Sequence, residues 1–172
     1  MLKKIYNIVT TAVVVVVVVL AILLGGLRII GFIPFTVLTS SMTPTYYPGD
    51  LVYVEKKDID EIKIGDALTF TISDNKVVTH RVDGIDKEKG CFYTKGDANS
   101  SRDTAPVLFE NVIGTVAFSI PKLGYLSNYI ASTDGKYIIF MALGVLVLLF
   151  LLPEFFKKKP EKKSDKEIKK TE

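Results

Sequence analysis

The feature that most constrains this chain is an uncharged apolar stretch, Ile5–Leu24, which contains seven consecutive valines. Its 20 residues are enough for a helix to cross the ~30 Å hydrocarbon layer of a membrane. Lys3 and Lys4 precede the stretch, and the Gly25–Arg28 sequence after it offers no convincing small-residue cleavage site. Residues 1–28 are therefore predicted to form an uncleaved signal-anchor transmembrane helix.

A second apolar block, Tyr137–Leu152, is 16 residues long and precedes a lysine-rich tail. Residues 137–156 are predicted to form a second transmembrane helix, with flanking residues completing the span. The tail, residues 157–172, is charged and lacks apolar periodicity, which predicts disorder. Because lysines lie at both ends of the chain, the positive-inside rule predicts a protein of the cell membrane that crosses it twice, with both termini cytoplasmic.

Residues 29–136, between the two blocks, are predicted to form an extracytoplasmic β-rich domain. Short runs rich in Val, Ile, Thr, Phe and Tyr alternate with turn-forming residues. The predicted strands are Phe35–Leu38, Leu51–Glu55, Ala67–Ile72, Val77–Ile85, Cys91–Lys95 and Val112–Ile120. The domain holds 11 basic and 14 acidic residues, a balance that does not suggest a nucleic-acid partner.

Three local patterns add detail to this domain. The segments 47–52 and 63–68 both place Gly-Asp before an apolar strand, which predicts a turn at each. The tyrosine-containing sequence 121–130 is predicted to lie at the membrane interface. The single cysteine, Cys91, excludes an intrachain disulfide and is expected to be a small core residue.

Chemistry in the domain would depend on its single histidine, His80. In a strand, His80 shares a face with Val78 and Val82, where its charged form is disfavoured unless a carboxylate compensates. Histidine titrates near neutrality and suits general-base catalysis, although a lone histidine is more often structural.

Two polar segments offer partners for this imidazole. In an extended chain Thr39 and Ser41 project to the same side, so one hydroxyl can attack a carbonyl while the other donates to the resulting oxyanion. The loop that follows Lys95 carries Asp97 and Asp103, and either carboxylate can orient an imidazole. Each segment alone is more typical of a turn.

The combination resembles the type I signal peptidases in the order and spacing of its motifs. The matching segments are Ser41-Met42-Thr43-Pro44 followed by Gly49-Asp50, then Thr79-His80-Arg81-Val82, then Gly96-Asp97-Ala98-Asn99 followed by Asp103. Histidine stands where bacterial housekeeping enzymes carry lysine, which is similar to the branch found in archaea, the endoplasmic reticulum and sporulating Gram-positive bacteria. The resemblance covers about residues 10–126 and implies a mainly β, coiled antiparallel sheet anchored here by two transmembrane helices.

The resemblance also implies a role for each site residue. Ser41 would be the nucleophile, His80 the general base, Asp103 the acid that orients the imidazole, and Asp97 a supporting acid. The Ser41 backbone N–H and the Thr39 hydroxyl would form the oxyanion hole. The family often has serine at the position of Thr39. The family's chemistry implies no metal and no cofactor.

The implied function is a membrane-bound serine endopeptidase that removes N-terminal signal peptides from exported preproteins through an acyl-enzyme. Its partners would be the lipid bilayer and secretory preproteins with small residues one and three positions before the cleaved bond. Association with the translocation machinery is compatible with this function. Three alternatives stay open: a Cys91 and His80 dyad, a hydrolase that cleaves only itself, and a non-catalytic membrane-tethered β domain that binds an extracellular partner.

Overall fold

A curled, antiparallel seven-stranded sheet forms the body of the protein. The computed structural model describes residues 2–72, 76–137, 140–141, 144–145 and 147. The strands are β1 (Phe32–Thr36), β2 (Leu51–Glu55), β3 (Ala67–Thr71), β4 (Val77–Asp86), β5 (Cys91–Lys95), β6 (Val107–Leu108) and β7 (Val112–Ile120). Their order in the sheet is β1-β2-β7-β3-β4-β5-β6, so the last strand of the chain lies near the middle and joins the first two strands to the rest.

A long apolar helix, α1 (Leu2–Leu24), precedes the sheet and is followed by a 3-10 turn, Gly26–Ile30. Within the described residues, Lys4–Leu24 is the one helix long and apolar enough to cross a membrane, with a mean hydropathy of 2.9. The hydroxyl of Tyr53 on β2 donates to the Leu23 carbonyl, which ties the end of the helix to the sheet. Most of the predicted second helix and all of the tail lie outside the described residues.

The apolar core lies against β3, β4 and β5. Its buried members are Ile62, Leu68, Phe70, Val82, Phe92 and Val107. Leu68 is paired in register with His80 of β4. Because side chains alternate along a strand, His80 projects on the same side as Val78 and Val82, both of which pack in this core.

The predicted strand bounds agree closely with the structure except at β1. Strands β2, β5 and β7 have the predicted bounds, and β3 and β4 differ from the prediction by one residue. The prediction of Phe35–Leu38 for β1 was wrong in its bounds, since the strand begins at Phe32 and ends at Thr36 and so contains Pro34. Since β1 is an edge strand paired only with β2, it tolerates a residue that lacks an N–H.

The two Gly-Asp segments form the predicted turns, and the turns have the same construction. Gly49 and Gly65 adopt positive φ angles of 92° and 97°. In the first turn the Asp50 carboxylate accepts a hydrogen bond from the N–H of the residue three positions earlier, at 2.9 Å. Asp66 accepts the equivalent bond in the second turn, at 3.0 Å. Glycine supplies the left-handed backbone and aspartate closes the turn.

The segment after β7 forms a short helix, α2 (Leu123–Ala131). Its first turn packs against the turn before β2, where the Gly124 N–H donates to the Gly49 carbonyl at 2.9 Å. A Cβ atom on Gly124 would lie 2.7 Å from the carbonyl oxygens of Gly49 and Asp50, so this close contact requires glycine. Tyr125 and Tyr129 are exposed on the helix, in the segment predicted to be interfacial.

Candidate active site

Ser41 lies on the connection between β1 and β2, and two contacts hold its backbone. The next residue, Met42, is only 2% exposed and fixes the segment to the interior. On the other side, the Ala98 N–H donates to the Ser41 carbonyl at 2.8 Å. A Cβ atom on Gly96 would lie 2.7 Å from that carbonyl oxygen. Glycine at position 96 therefore allows the polar loop after β5 to approach the serine.

His80 lies near the middle of β4 and joins two of the predicted site residues. Its Nε2 atom is 3.1 Å from Ser41 Oγ, and its Nδ1 atom is 2.6 Å from Asp103 Oδ2. When the carboxylate accepts the Nδ1–H bond, Nε2 carries a lone pair that can accept a hydrogen bond from the Ser41 hydroxyl. The His80 side chain is 12% exposed, which leaves the imidazole shielded but not sealed from solvent. Serine, histidine and aspartate thus form one hydrogen-bonded line.

Thr94 of β5 fixes the position of Asp103 with two hydrogen bonds. Its hydroxyl donates to Asp103 Oδ2 at 2.7 Å, and its carbonyl accepts the Asp103 N–H at 2.9 Å. Because Thr94 is fully buried in the sheet, its hydroxyl is a stationary donor. The carboxylate oxygen that faces His80 is therefore held in one place by the adjacent strand.

Thr39 projects toward the same point as Ser41. The two hydroxyl oxygens are 3.2 Å apart. Across the part of the chain that the structure describes, the backbone N–H of Ser41 donates to no other protein group. A hydroxyl and a free N–H next to the serine are the donor types that stabilise an oxyanion.

Asp97 contacts Arg81 rather than the histidine. Arg81 Nε donates to Asp97 Oδ1 at 2.7 Å, and Nη2 donates to Oδ2 at 2.6 Å, which makes a bidentate pair. The Thr45 hydroxyl donates to the same carboxylate at 2.5 Å, and Arg81 also donates to the Gly65 carbonyl at 2.7 Å. This network joins the connection that carries Ser41 and Thr45 to the second Gly-Asp turn, β4 and the polar loop.

The ion pair between Arg81 and Asp97 shifts the titration of both groups. The hydrogen bonds from the Arg81 guanidinium hold the pKa of the Asp97 carboxyl below its usual range. The same contact raises the pKa of Arg81 above its ordinary value. Both groups are therefore charged at neutral pH, and the pair stabilises the folded state.

Cys91 opens β5 and is 2% exposed in the core, where a thiol has no access to a substrate. This location matches the predicted core role and counts against the dyad of Cys91 with His80. Among residues that the structure describes, no three His, Cys, Asp or Glu side chains are grouped closely enough to hold a metal ion.

The sequence reasoning did not assign functions to Thr94, Arg81 or Thr45. Arg81 directly follows the histidine, and Thr94 faces the core from a strand that leads to the polar loop. These places along the chain could be read from the sequence, but the residues that Arg81 and Thr94 contact could not be predicted from it. Each contact joins residues that are at least nine positions apart along the chain.

Comparison with known proteins identifies the family to which this site belongs. The family described as "Signal peptidase, peptidase S26" matches residues 9–96, just over half of the chain. The chain belongs to the signal peptidase family. In this member of the family, the matched range includes Thr39, Ser41 and His80, and it stops one residue before Asp97.

Bacterial and fungal signal peptidases are among the relatives of this family member. Signal peptidase I W of Bacillus subtilis is 40% identical over 91 residues, which cover 51% of this chain and 48% of the relative. The signal peptidase complex catalytic subunit SEC11 of Zygosaccharomyces rouxii is 30% identical over 129 residues, 67% of this chain and 75% of the relative. The Clavispora lusitaniae subunit of the same name is 30% identical over 127 residues, with the same coverage. The match spans about half of the bacterial relative and three quarters of the fungal ones.

Proposed function

We propose that this chain is a membrane-bound serine endopeptidase that removes N-terminal signal peptides from exported preproteins. The observation that carries the proposal is the continuous hydrogen-bonded line from the Ser41 hydroxyl through His80 to Asp103. Membership of the signal peptidase family supports the substrate class. Together these findings favour a peptidase over a β domain that only binds a partner.

In the acylation step, Ser41 Oγ attacks the carbonyl carbon of the scissile peptide bond. His80 Nε2 accepts the hydroxyl proton as the new carbon–oxygen bond forms, and Asp103 stabilises the resulting imidazolium. The negative charge on the carbonyl oxygen would be stabilised by the Ser41 N–H and the Thr39 hydroxyl. When the carbon–nitrogen bond breaks, the imidazolium returns its proton to the leaving amine. The signal peptide is then an ester on Ser41, and the mature protein is released.

Deacylation reverses these roles with water as the nucleophile. His80 accepts a proton from water as the hydroxide attacks the ester carbonyl, and the imidazolium then protonates Ser41 Oγ as the ester bond breaks. The enzyme returns to its starting state and the signal peptide leaves with a carboxylate. Asp97 supports this chemistry indirectly, because its pair with Arg81 links the strand of the base to the nucleophile segment.

The proposed membrane topology follows from the apolar blocks and the lysines. Helix α1 would anchor the chain within residues 1–28, residues 29–136 would form the extracytoplasmic catalytic domain, and residues 137–156 would cross back. The lysine-rich tail, residues 157–172, would then lie in the cytoplasm with the N-terminus. The tie between Tyr53 and Leu23 would hold the catalytic sheet close to the bilayer surface.

The substrate proposed is an extended preprotein segment with small residues one and three positions before the cleaved bond. An extended segment can pair with a strand edge, which supplies backbone hydrogen bonds without regard to sequence. Two fungal relatives are named as catalytic subunits of a signal peptidase complex. Association of this chain with translocation machinery is part of the same proposal.

A processing assay with detergent-solubilised full-length protein and a synthetic preprotein tests this function. Wild-type protein should cleave the preprotein, and Ser41→Ala should lose at least about 10³-fold in kcat because the nucleophile is gone. Cys91→Ala is the matched control and should retain nearly full activity. Cleavage by Ser41→Ala at the wild-type rate would contradict the assignment, and loss of activity in a folded Cys91→Ala variant would restore the cysteine alternative. Complete inactivity of the wild type would favour a binding module.

A further inference from the structure

The polar loop of residues 96–103 contacts both ends of the proposed proton-transfer line. Near its start, the Ala98 N–H donates to the Ser41 carbonyl at 2.8 Å. At its end, Asp103 accepts the hydrogen bond from His80 at 2.6 Å. A shift of this loop would therefore displace the nucleophile segment and the orienting carboxylate at the same time. The contacts that fix the loop against the sheet determine the geometry of the site.

Arg102, the residue before Asp103, makes a second set of contacts with the sheet. Its Nε atom donates to Asp83 Oδ2 at 2.6 Å, and its Nη2 atom donates to the Asp83 carbonyl at 3.3 Å. The guanidinium carbon also lies 5.0 Å from the centre of the Tyr93 ring, within the range of a cation–π contact. One arginine thus joins the loop to both β4 and β5.

A bulge in β4 makes this contact geometrically feasible. The register passes from Val82 opposite Thr94 to Gly84 opposite Tyr93, so Asp83 is the extra residue that has no partner on β5. A bulge bends a strand and redirects a side chain. Here both the carboxylate and the carbonyl of the bulged residue face Arg102. The irregularity begins two residues after His80.

We propose that Arg102 is a positioning residue, clamped by Asp83 and Tyr93, which fixes the 96–103 loop so that Asp103 meets the imidazole of His80. The inference rests on the proposed peptidase activity, because Arg102 would act through the contact between Asp103 and His80. Arg102 itself touches neither Ser41 nor His80 in any of the contacts given by the described residues. Its effect is on the alignment of the orienting acid.

Exposure of the clamp separates this role from general stabilisation of the fold. The side chains of Arg102 and Asp83 are 47% and 43% exposed, and ion pairs this exposed contribute little to global stability. A displacement of about 1 Å at a reacting group can nonetheless cost about 100-fold in rate. Removing the clamp should therefore lower kcat while the melting temperature stays nearly unchanged.

A kinetic comparison of Arg102→Ala with Lys87→Ala tests the proposal on the full chain. Lys87 is a matched control because its Nζ forms an ion pair of similar length with Asp60, 2.7 Å, and both side chains are exposed. With a synthetic preprotein, Arg102→Ala should lower kcat about tenfold with KM unchanged. Lys87→Ala should alter neither constant. Arg102→Lys, which retains the charge but not the planar fork, should recover only part of the loss.

An NMR measurement tests the same contact without turnover. His80 is the only histidine in the chain, so selective ¹⁵N-histidine labelling gives one unambiguous imidazole. Its Nδ1–H resonance reports the hydrogen bond to Asp103. Arg102→Ala should shift or broaden that resonance, and Lys87→Ala should not. If the wild-type protein cleaved nothing but this resonance still responded to Arg102→Ala, the proposed function would fail while the positioning contact would stand.

An Arg102→Ala variant that folds with wild-type kcat and an unchanged His80 resonance would overturn the proposal. Asp83→Asn removes the partner charge with little change in volume and replaces Arg102→Ala if that variant does not fold. The double variant of Arg102→Ala with Asp83→Asn should lose no more activity than Arg102→Ala alone, since Asp83 acts through Arg102. Additive losses would show that the two residues act separately and would contradict the clamp.

Discussion

Strand β4 presents two faces that carry different chemistry. On one face, His80 lies between a serine hydroxyl at 3.1 Å and a carboxylate at 2.6 Å. On the other face, Arg81 is fixed by a bidentate pair with Asp97. The first face joins an imidazole to a hydroxyl and a carboxylate, whereas the second holds an ion pair that stays charged at neutral pH. Strand alternation separates the two arrangements by a single residue.

The comparison shows how a small domain can separate reactivity from support. The His80 imidazole depends on geometry at one hydroxyl, while its neighbours on the same face, Val78 and Val82, pack in the core. Arg81 joins β4 to Asp97, to Thr45 and to the turn at Gly65. It therefore affects the site by holding these segments together. Variants of the polar residues on the two faces should therefore have different signatures, with activity lost at His80 and stability lost at Arg81 or Asp97.

The largest effect is expected from His80→Gln, which should lower kcat/KM by about 10⁴-fold or more because the proposed general base is lost. The melting temperature should change little.

For the wild type, kcat/KM should fall at acid pH, because the imidazolium cannot accept the serine proton. A rate that is unchanged well below about pH 5 in folded protein would exclude neutral imidazole as the base. Arg81→Lys is the comparison variant. It should lower the melting temperature clearly and kcat/KM only slightly, since lysine keeps the charge but loses the planar guanidinium that binds Asp97 with two hydrogen bonds.

An intermediate effect is expected from Thr39→Val, which removes a proposed oxyanion donor at nearly constant volume. We expect kcat to fall by about 10²- to 10³-fold, with no comparable change in stability because Thr39 is exposed. Thr39→Ser is the matched control, since it keeps the hydroxyl and removes only the methyl group. If Thr39→Val retained full activity, or if both variants lost it equally, the hydroxyl would have no such role.

The smallest effect on activity, and the clearest on stability, is expected from Asp97→Asn. At pH 7 this variant should lower the free energy of unfolding by about 1–3 kcal/mol, because Arg81 and Thr45 lose a charged acceptor. The pKa of Asp97 is lowered in the folded state by the Arg81 hydrogen bonds. The contribution is therefore fully present above about pH 4, the unfolded value, and is lost as the pH falls through the lowered pKa.

Denaturant titrations of the wild type and Asp97→Asn at several pH values measure this contribution. The difference between them should shrink toward zero in acid. Asp60→Asn is the control, since Asp60 also forms an ion pair, with Lys87, but its side chain is 84% exposed, so no measurable change is expected. A difference that grew as the pH fell would contradict the assigned ion pair.

Much of the sheet could be predicted because strand patterning is local. The runs at β2, β5 and β7 alternate or concentrate β-branched and aromatic residues between turn signals, and their predicted ends match. The start of β1 could not be predicted, since whether Pro34 is tolerated depends on which strand occupies the edge. The two-residue strand β6 (Val107–Leu108) leaves too short a pattern to detect.

The candidate site was predictable in its members but not in its supporting contacts. Thr39, Ser41, His80 and Asp103 were singled out from residue type and motif resemblance, and the structure brings their side chains together. The partners of these residues arise from pairing across the sheet. Thr94 reaches the carboxylate because β5 lies beside β4. The contacts of Arg102 with Asp83 depend on a bulge between Val82 and Gly84, which the predicted strand Val77–Ile85 did not include.

The resemblance implied that Asp103 orients the imidazole, but the residues alone did not separate the two acids. Asp97 and Asp103 lie on the same loop, and either could have faced the imidazole. The 2.6 Å contact between Asp103 and His80 and the bidentate pair between Asp97 and Arg81 assign them to opposite faces of β4. Sequence spacing alone gave no reason for one carboxylate to face the arginine.

Steady-state cleavage by Asp103→Asn and Asp97→Asn, measured beside their melting temperatures, tests the separation of the two faces most directly. Asp103→Asn should lower kcat/KM by about 10³- to 10⁴-fold with little change in melting temperature, because the imidazole loses its orienting acceptor. Asp97→Asn should lower the melting temperature and reduce kcat/KM by no more than about tenfold. Equal losses of activity, or a larger loss in Asp97→Asn, would contradict the assignment of chemistry to one face and support to the other.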